Sequence, residues 1–162
     1  MWCGILGNRI IGPVFFDGNL TGQAYLRFLQ EDVGPLLEDI PLEIRRNMWL
    51  QHDGAPAHYS RSVREWLQQR FPRRWIGRGD RHTPVPWPAR SPDLTPMDFF
   101  LWGYIKELVY RTPSQSVDDL KRRIVSACQS ITPAMLQAVH ESTMKRAEMC
   151  DKVNGQHFEH LL

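Results

Sequence analysis

A chain of 162 residues, of which 42% are hydrophobic, fits one domain and can bury a substantial core. Its net charge of +2 is too small to indicate nucleic-acid binding by itself, because affinity for phosphate depends on clustered cations rather than on the total. No stretch approaches the ~20 apolar residues that span a bilayer, and the start lacks the pattern of a secretory signal. Three widely separated cysteines do not form a disulfide framework. We therefore expect a soluble protein of a reducing compartment that is not secreted.

The first third of the chain predicts two strands and a helix. Two runs rich in β-branched residues within 2–16 flank Gly7-Asn8, a dipeptide typical of a hairpin turn. Thr21 is suited to cap a helix, which we expect to be interrupted or restarted at Gly34-Pro35. The apolar positions that recur at helical spacing after Thr21 are Tyr25, Phe28, Leu29, Val33, Leu36 and Leu37.

The middle of the chain predicts two short strands with a helix between them. The apolar run 48–52 is bounded by turn residues and predicts a buried strand that ends at Asp53. A helix is expected over about 59–69, and residues 74–76 predict another short strand. From 77 to 96 five prolines restrict the backbone, so this segment predicts a stiff loop.

The C-terminal third is predicted to be helical. One helix is expected over 97–109, a second begins at Ser116, and a third begins at Thr132-Pro133 with proline in a permitted early position. The order of two strands, helix, strand, helix and further helices predicts an α/β fold that is incomplete as an independent sheet.

Arginines crowd the region after Asp53, and Trp66 and Trp75 lie among them. Arginine and aromatic residues together suit a surface that follows a sugar-phosphate backbone and stacks on bases. The alternative is a solvated helix face whose tryptophans belong to the core. The arginines are Arg61, Arg64, Arg70, Arg73, Arg74, Arg78 and Arg81.

Two aspartates have distinctive settings. Asp53 lies in Gln51-His52-Asp53-Gly54-Ala55-Pro56-Ala57-His58, and Asp98 lies in Ser91-Pro92-Asp93-Leu94-Thr95-Pro96-Met97-Asp98 ahead of an amphipathic helix. Carboxylates are hard oxygen ligands for Mg²⁺, and two of them brought together would suit phosphoryl transfer. A purely structural role stays open for each, as a turn former for Asp53 and as a helix cap for Asp98.

These segments resemble the second and third acidic motifs of the mariner/Tc1 superfamily of DDE/D transposases, and the resemblance runs through nearly the whole chain. It implies the RNase H-like fold of DDE integrases and transposases. The family's first aspartate precedes a segment similar to 1–7. The resemblance therefore implies one partial catalytic domain over 1–162, truncated before its second strand, without the N-terminal helix-turn-helix region.

The resemblance implies that Asp53 and Asp98 are catalytic metal ligands. In the family an acidic triad binds Mg²⁺, for which Mn²⁺ can substitute, and promotes DNA strand cleavage and strand transfer. Asp93 is expected to form a turn outside the triad. His58 occupies the position of the family's motif histidine, where it would approach metal or DNA phosphate, or else cap the following helix.

The resemblance also implies partners and a location. DNA, as transposon ends and target, is the expected partner, a homodimer is compatible with it, and the nucleus is the expected compartment. Whether the chain is an enzyme stays open, because the first catalytic aspartate is missing. Two alternatives are a nucleic-acid-binding or dimerising module retained by the host without catalysis, and an inactive pseudogene product. The residues expected to contact nucleic acid are His58, Arg61, Arg64, Arg73, Arg74, Arg78 and Arg81.

Overall fold

The computed structural model describes residues 1–78, 83–88 and 91–162. The chain divides into two compact units. The first unit combines Met1–Phe15 with Ser91–Leu162, and the second unit comprises Phe16–Arg90. Each unit contains its own small sheet and its own helices.

The first unit begins with the predicted hairpin. Strand β1 (Trp2–Leu6) pairs antiparallel with β2 (Arg9–Val14). Gly7, in the turn between them, has a φ of 56°. This left-handed conformation favours glycine, so the local sequence specifies where the chain reverses.

Both predicted helix starts in the first unit are confirmed. The hydroxyl of Ser116 accepts a hydrogen bond from the N–H of Asp119, and that of Thr132 accepts one from the N–H of Met135. Each bond satisfies an N–H group that has no partner within its helix. Helices α5, α6 and α7 of this unit, in our numbering for the whole chain, are Trp102–Val109, Val117–Gln129 and Pro133–Lys152.

The helix predicted over 97–109 has the expected extent, but its first turn differs. Residues Met97–Leu101 are π-helical and continue directly into α5, after a 3₁₀ turn at Pro92–Leu94. π-helical turns are rare and occur often at functional sites, and periodicity does not reveal them over five residues.

The core of the first unit lies among β1, α5, α6 and the start of α7. Leu101 is completely buried, and burial of such a side chain contributes about 1.5–3 kcal/mol. The free thiols of Cys3 and Cys128 are also buried, whereas Cys150 is half-buried. The buried cluster is Cys3, Leu101, Ile105, Val109, Ala127, Cys128, Ile131 and Leu136.

The second unit contains a three-stranded sheet and four helices among its described residues. The strands run parallel in the order β3-β4-β5. Helix α1 packs against α4 through completely buried Tyr25, Val63 and Leu67. The helices are α1 (Gly22–Glu31), α2 (Val33–Leu36), α3 (Leu42–Asn47) and α4 (Arg61–Arg70). The strands are β3 (Leu50–Gln51), β4 (Trp75–Gly77) and β5 (Val85–Pro86).

The start of α1 is confirmed, and the helix breaks and restarts close to Gly34-Pro35 as expected. The Thr21 hydroxyl accepts a hydrogen bond from the N–H of Ala24 at 3.2 Å. The break falls at Asp32, and Gly34-Pro35 lies inside α2. Proline is tolerated there because N–H groups in the first turn of a helix have no helical partner.

The prediction of a buried strand over 48–52 is wrong in length and in burial. Only two residues form β3, and the side chain of Trp49 is 53% exposed. Helix α3, which was not predicted, precedes it, and its Leu42 and Ile44 are 52% and 48% exposed. Apolar residues at the surface therefore produced a false signal of burial.

The segment 77–96 is not entirely a loop. Residues Val85 and Pro86 pair in parallel with Ile76 and Gly77 of β4. Strand β5 is the last in the order of its sheet, and proline, which has no N–H to donate, is tolerated on an edge strand.

No helix among the described residues has the length and apolar character that crossing a membrane requires.

Candidate metal and nucleic-acid site

Asp53 follows β3 in the second unit, and two nearby groups contact one of its oxygens. Oδ1 accepts a hydrogen bond from the N–H of Ala55 at 3.0 Å, which closes the turn expected of an aspartate before glycine. The same oxygen lies 2.5 Å from Nδ1 of His58. The turn-forming role is therefore present, together with a histidine contact, while 52% of the carboxylate side chain stays exposed.

The contacts of Asp53 favour its charged form. The hydrogen bond with His58 lowers the pKa of the carboxyl to about 2, partial burial opposes that effect, and the Ala55 N–H adds to it. Asp53 is therefore ionised at neutral pH, which is the form that binds a cation.

His58 lies over an aromatic pair that supports it. Its ring centroid is 4.4 Å from that of Tyr25 and 4.9 Å from that of His52. His58 does not cap α4, because Ser60 occupies the cap position. The histidine therefore contacts the acidic motif rather than the helix end.

His52 and Tyr25 form a buried polar pair beneath the motif. A hydrogen bond of 2.8 Å joins Nε2 of His52 to Oη of Tyr25. Burial lowers the pKa of His52 to about 3, and the nearby charge of His58 lowers it further, so the ring is neutral at physiological pH. The sequence identified Tyr25 only as an apolar helix position and did not predict its contact with the motif.

Asp98 lies in the first unit as the second residue of the π-helical turn. Its side chain is exposed, and its N–H donates to the carbonyl of Thr95 at 2.8 Å. Pro96 occupies the cap position, so the alternative of Asp98 as the N-cap is wrong. A carboxylate in the first turn still interacts favourably with the positive end of the helix dipole. Asp93, expected to form a turn, lies in the preceding 3₁₀ turn.

Two of the predicted DNA-contacting arginines stack on one tyrosine next to the Asp53 motif. The guanidinium carbons of Arg64 and Arg78 lie 4.7 and 4.9 Å from the ring centroid of Tyr59. The stem of Arg78 also packs over Gly54, where an added Cβ would lie 3.2 Å from Cδ of the arginine. Such stacking orients a guanidinium, and that of Arg78 belongs to an exposed residue.

Arg74 has a structural role. Its Nη1 donates to the carbonyl of Arg46 and to that of Met48, the latter at 3.1 Å. These bonds join the segment before β4 to the last turn of α3 and to the residue that follows α3. Both bonds use the same nitrogen of the guanidinium.

The remaining predicted arginines are less constrained. Arg61 is 86% exposed and forms an ion pair with Glu65 at 2.8 Å, and Arg73 is exposed with a φ of 60°. Arg81 lies outside the described residues. Trp75 is 3% exposed, so the alternative that places tryptophan in the core is confirmed for this residue.

The metal-ligand inventory is short. Among residues 1–78, 83–88 and 91–162, no three His, Cys, Asp or Glu side chains are grouped so that they could hold a metal ion. Asp98 belongs to the first unit and Asp53 to the second. The contacts described for each carboxylate are made by residues of its own unit.

The chain matches known proteins over most of its length. The family model of the DDE superfamily endonucleases matches residues 3–121. The Tc3 transposase of Caenorhabditis elegans is 31% identical over 90% of this chain, and the Tc1 transposase of the same organism is 25% identical over 69%. These matches cover 41% and 37% of the two relatives, so the chain spans about two fifths of their length.

Solved structures agree with the sequence relatives. The Mos1 transposase catalytic domain, solved with raltegravir and Mn, superposes with a TM-score of 0.76 at 21% identity, over 94% of this chain and 74% of that one. A Mos1 paired-end complex with the left transposon end gives a TM-score of 0.75 at 20% identity, over 94% of this chain and 42% of that one. The likeness confirms the predicted RNase H-like α/β fold. Together with the family match, it establishes that the chain belongs to the DDE superfamily endonucleases, as its two acidic motifs predicted.

Proposed function

We propose that the chain is the C-terminal part of a transposase catalytic domain, whose activity is metal-dependent cleavage and strand transfer of DNA. The observation that carries the proposal is the state of Asp53, an ionised, half-exposed carboxylate fixed at one oxygen in a chain of the DDE family. Asp53 and Asp98 are two members of the acidic triad. Metal binding by these two carboxylates is the part of that activity that the chain's own residues allow to be tested.

The residues present fit Mg²⁺ or Mn²⁺. In the described part of the chain, Ala55 and His58 both contact Oδ1 of Asp53, which leaves Oδ2 for a cation. Carboxylate oxygens are the ligands that these hard cations prefer, and Asp98 supplies a second, exposed one. The similar Mos1 catalytic domain has been solved with Mn and with Mg.

The chain's own groups orient the site. A bound divalent ion would neutralise charge on the phosphate and promote deprotonation of the attacking hydroxyl. His58 restrains the Asp53 carboxylate through Oδ1, and Tyr25 and His52 support the histidine ring from beneath. A carboxylate held in advance of binding does not have to be reorganised during the reaction.

Arg78 and Arg64 are the best-placed contacts to DNA phosphates. Both are oriented by Tyr59, and Arg78 lies directly beside the acidic motif. Arg61 and Arg73 extend the same basic segment, whereas the bonds of Arg74 to backbone carbonyls assign it to the fold.

Since a Mos1 structure is a paired-end complex, we also propose action as a homodimer on transposon ends, in the nucleus.

Calorimetric titration with Mn²⁺ tests the metal site. Asp53→Asn and Asp98→Asn should each weaken binding at least about tenfold, because each removes one anionic ligand. Asp151→Asn, at an exposed position of α7, is the matched control and should bind as the parent chain does. Absence of binding to the parent chain, or equal binding by all variants, would defeat the proposed site.

A second candidate is DNA binding without catalysis. The stack of Arg64 and Arg78 on Tyr59 favours it, because that arrangement needs no metal. In a chelating buffer, affinity for duplex DNA should fall as salt rises, and Arg78→Ala should reduce the logarithmic salt slope by about 1. Arg122→Ala, at a 77% exposed arginine of α6, is the control. Salt-independent binding would exclude this candidate.

A further inference from the structure

Helix α7 supplies a guanidinium to the segment that carries Asp98. Arg146 is largely buried, with 14% of its side chain exposed. Its Nη1 donates to the backbone carbonyl of Asp93 at 3.0 Å and to Oε1 of Glu159 at 3.3 Å. Its guanidinium carbon lies 4.4 Å from the ring centroid of Phe99.

The residues that Arg146 contacts lie on both sides of Asp98 in the sequence. Asp93 lies in the 3₁₀ turn before it, and Phe99 is the next residue of the π-helical turn. One planar group therefore holds the acidic segment on both sides, by a hydrogen bond to its backbone and by a cation–π contact. All of these residues lie in the first unit.

The π-helical turn needs such support. π-helical geometry is uncommon because its hydrogen bonding competes poorly with that of the α-helix, so tertiary contacts decide whether it persists. Arg146 contacts the turn from a helix 53 residues distant from Asp93 in sequence. Helix α7 also lies beyond the residues 3–121 that the family model matches.

We propose that Arg146 is a positioning residue for Asp98, which it keeps oriented for metal binding without touching the metal. This inference rests on the proposed function, because that function makes Asp98 a ligand. The competing role is purely structural, in which Arg146 stabilises the unit as a whole.

The test combines hydrogen exchange with Mn²⁺ titration of the full chain. Arg146→Met removes the charge and the fork of donors, and Arg146→Lys keeps the charge and one donor. Phe99→Leu removes the cation–π contact without altering the arginine, and serves if Arg146→Met fails to fold. Lys145→Met, at the exposed neighbouring position, is the matched control.

We expect Arg146→Met to speed amide exchange in 91–101 at least about tenfold while α6 keeps its protection, since only the held segment is released. Its Mn²⁺ affinity should fall by about tenfold, the size expected from losing an interaction of this kind. In the Asp98→Asn background, Arg146→Met should cause no further loss, because its effect acts through Asp98. Arg146→Lys should recover part of the affinity, and Phe99→Leu should show a smaller loss of the same kind.

The contrary outcomes are distinguishable. Uniformly faster exchange throughout the first unit would assign Arg146 a structural role and overturn the inference. A parent chain and Arg146→Met that bind Mn²⁺ equally, while Asp98→Asn does not bind, would overturn the inference alone. A parent chain that binds no Mn²⁺ would overturn the proposed function, and with it the positioning role.

Discussion

Asp53 and Asp98 are held by different kinds of contact. The partners of Asp53 are Ala55 and His58, two and five residues further along the chain. The segment of Asp98 is instead held by Arg146, from a helix near the other end of its unit. One carboxylate therefore depends on a local turn, and the other depends on tertiary packing.

This difference has an energetic consequence. A local turn reforms whenever its own few residues are ordered, whereas a contact between distant segments is lost when packing loosens. Damage to the core of the first unit should therefore disturb Asp98, and acidification should act on the second unit through His52 beneath Asp53.

Leu101→Ala should have the largest effect. Leu101 is completely buried, three residues after Asp98, and its truncation should lower the free energy of unfolding of the first unit by about 2–5 kcal/mol. Denaturant unfolding combined with hydrogen exchange measures the loss unit by unit. Leu161→Ala, at a 44% exposed leucine, is the control. If amide exchange around Asp53 accelerated as much as exchange around Asp98, the expected difference between the two units would be wrong.

Acid should destabilise the second unit through His52. The pKa of His52 is about 3 in the folded chain because of burial, and it rises to its ordinary value near 6.5 on unfolding. The unfolded chain therefore binds the proton first, and stability is lost as pH falls from about 6.5 towards 3, by up to about 1.4 kcal/mol per pH unit. His52→Gln, which does not titrate, should show a flatter profile in pH-dependent unfolding. If the pH profiles of the parent chain and His52→Gln ran parallel, the acid sensitivity would not come from His52.

The threonine N-caps of α1 and α7 allow the same substitution to be compared in the two units. Thr21→Ala should destabilise the second unit and Thr132→Ala the first, each by about 1 kcal/mol, because each removes the acceptor of one N–H group. Hydrogen exchange at α1 and α7 should locate each effect in its own unit. An effect of Thr21→Ala on α7 as large as that on α1 would show that the two units do not respond separately.

Gly54→Ala should have the smallest effect on stability. The new methyl group would lie 3.2 Å from Cδ of Arg78, so the flexible arginine must shift by a few tenths of an ångström, at a cost below about 1 kcal/mol. We expect a larger effect on DNA affinity, because the shift displaces the guanidinium from Tyr59. Unchanged DNA binding would exclude Arg78 as an important contact.

The local features were those that the sequence could predict. Each of these features depends on residues a few positions apart, whose chemistry is visible in the sequence. They are the hairpin at Gly7, the helix caps at Thr21, Ser116 and Thr132, and the turn at Asp53. The acidic motifs likewise predicted the family because their residues are contiguous.

Features that depend on distant partners were missed. The contact of Tyr25 with His52 joins residues 27 positions apart, and that of Arg146 with Asp93 joins residues 53 apart. Neither pair has a periodic or motif signal. The exposure of Trp49 was missed for a related reason, since an apolar run indicates burial only when other elements cover it.

The most direct test of the metal proposal is Mn²⁺-induced broadening of backbone amide signals at substoichiometric metal. Broadening should appear at Ala55 beside Asp53 and at Phe99 beside Asp98, and Asp53→Asn should abolish it at Ala55 as Asp98→Asn should at Phe99. Broadening at Ala55 that persists in Asp53→Asn would show that this carboxylate does not bind the ion, and would contradict the account.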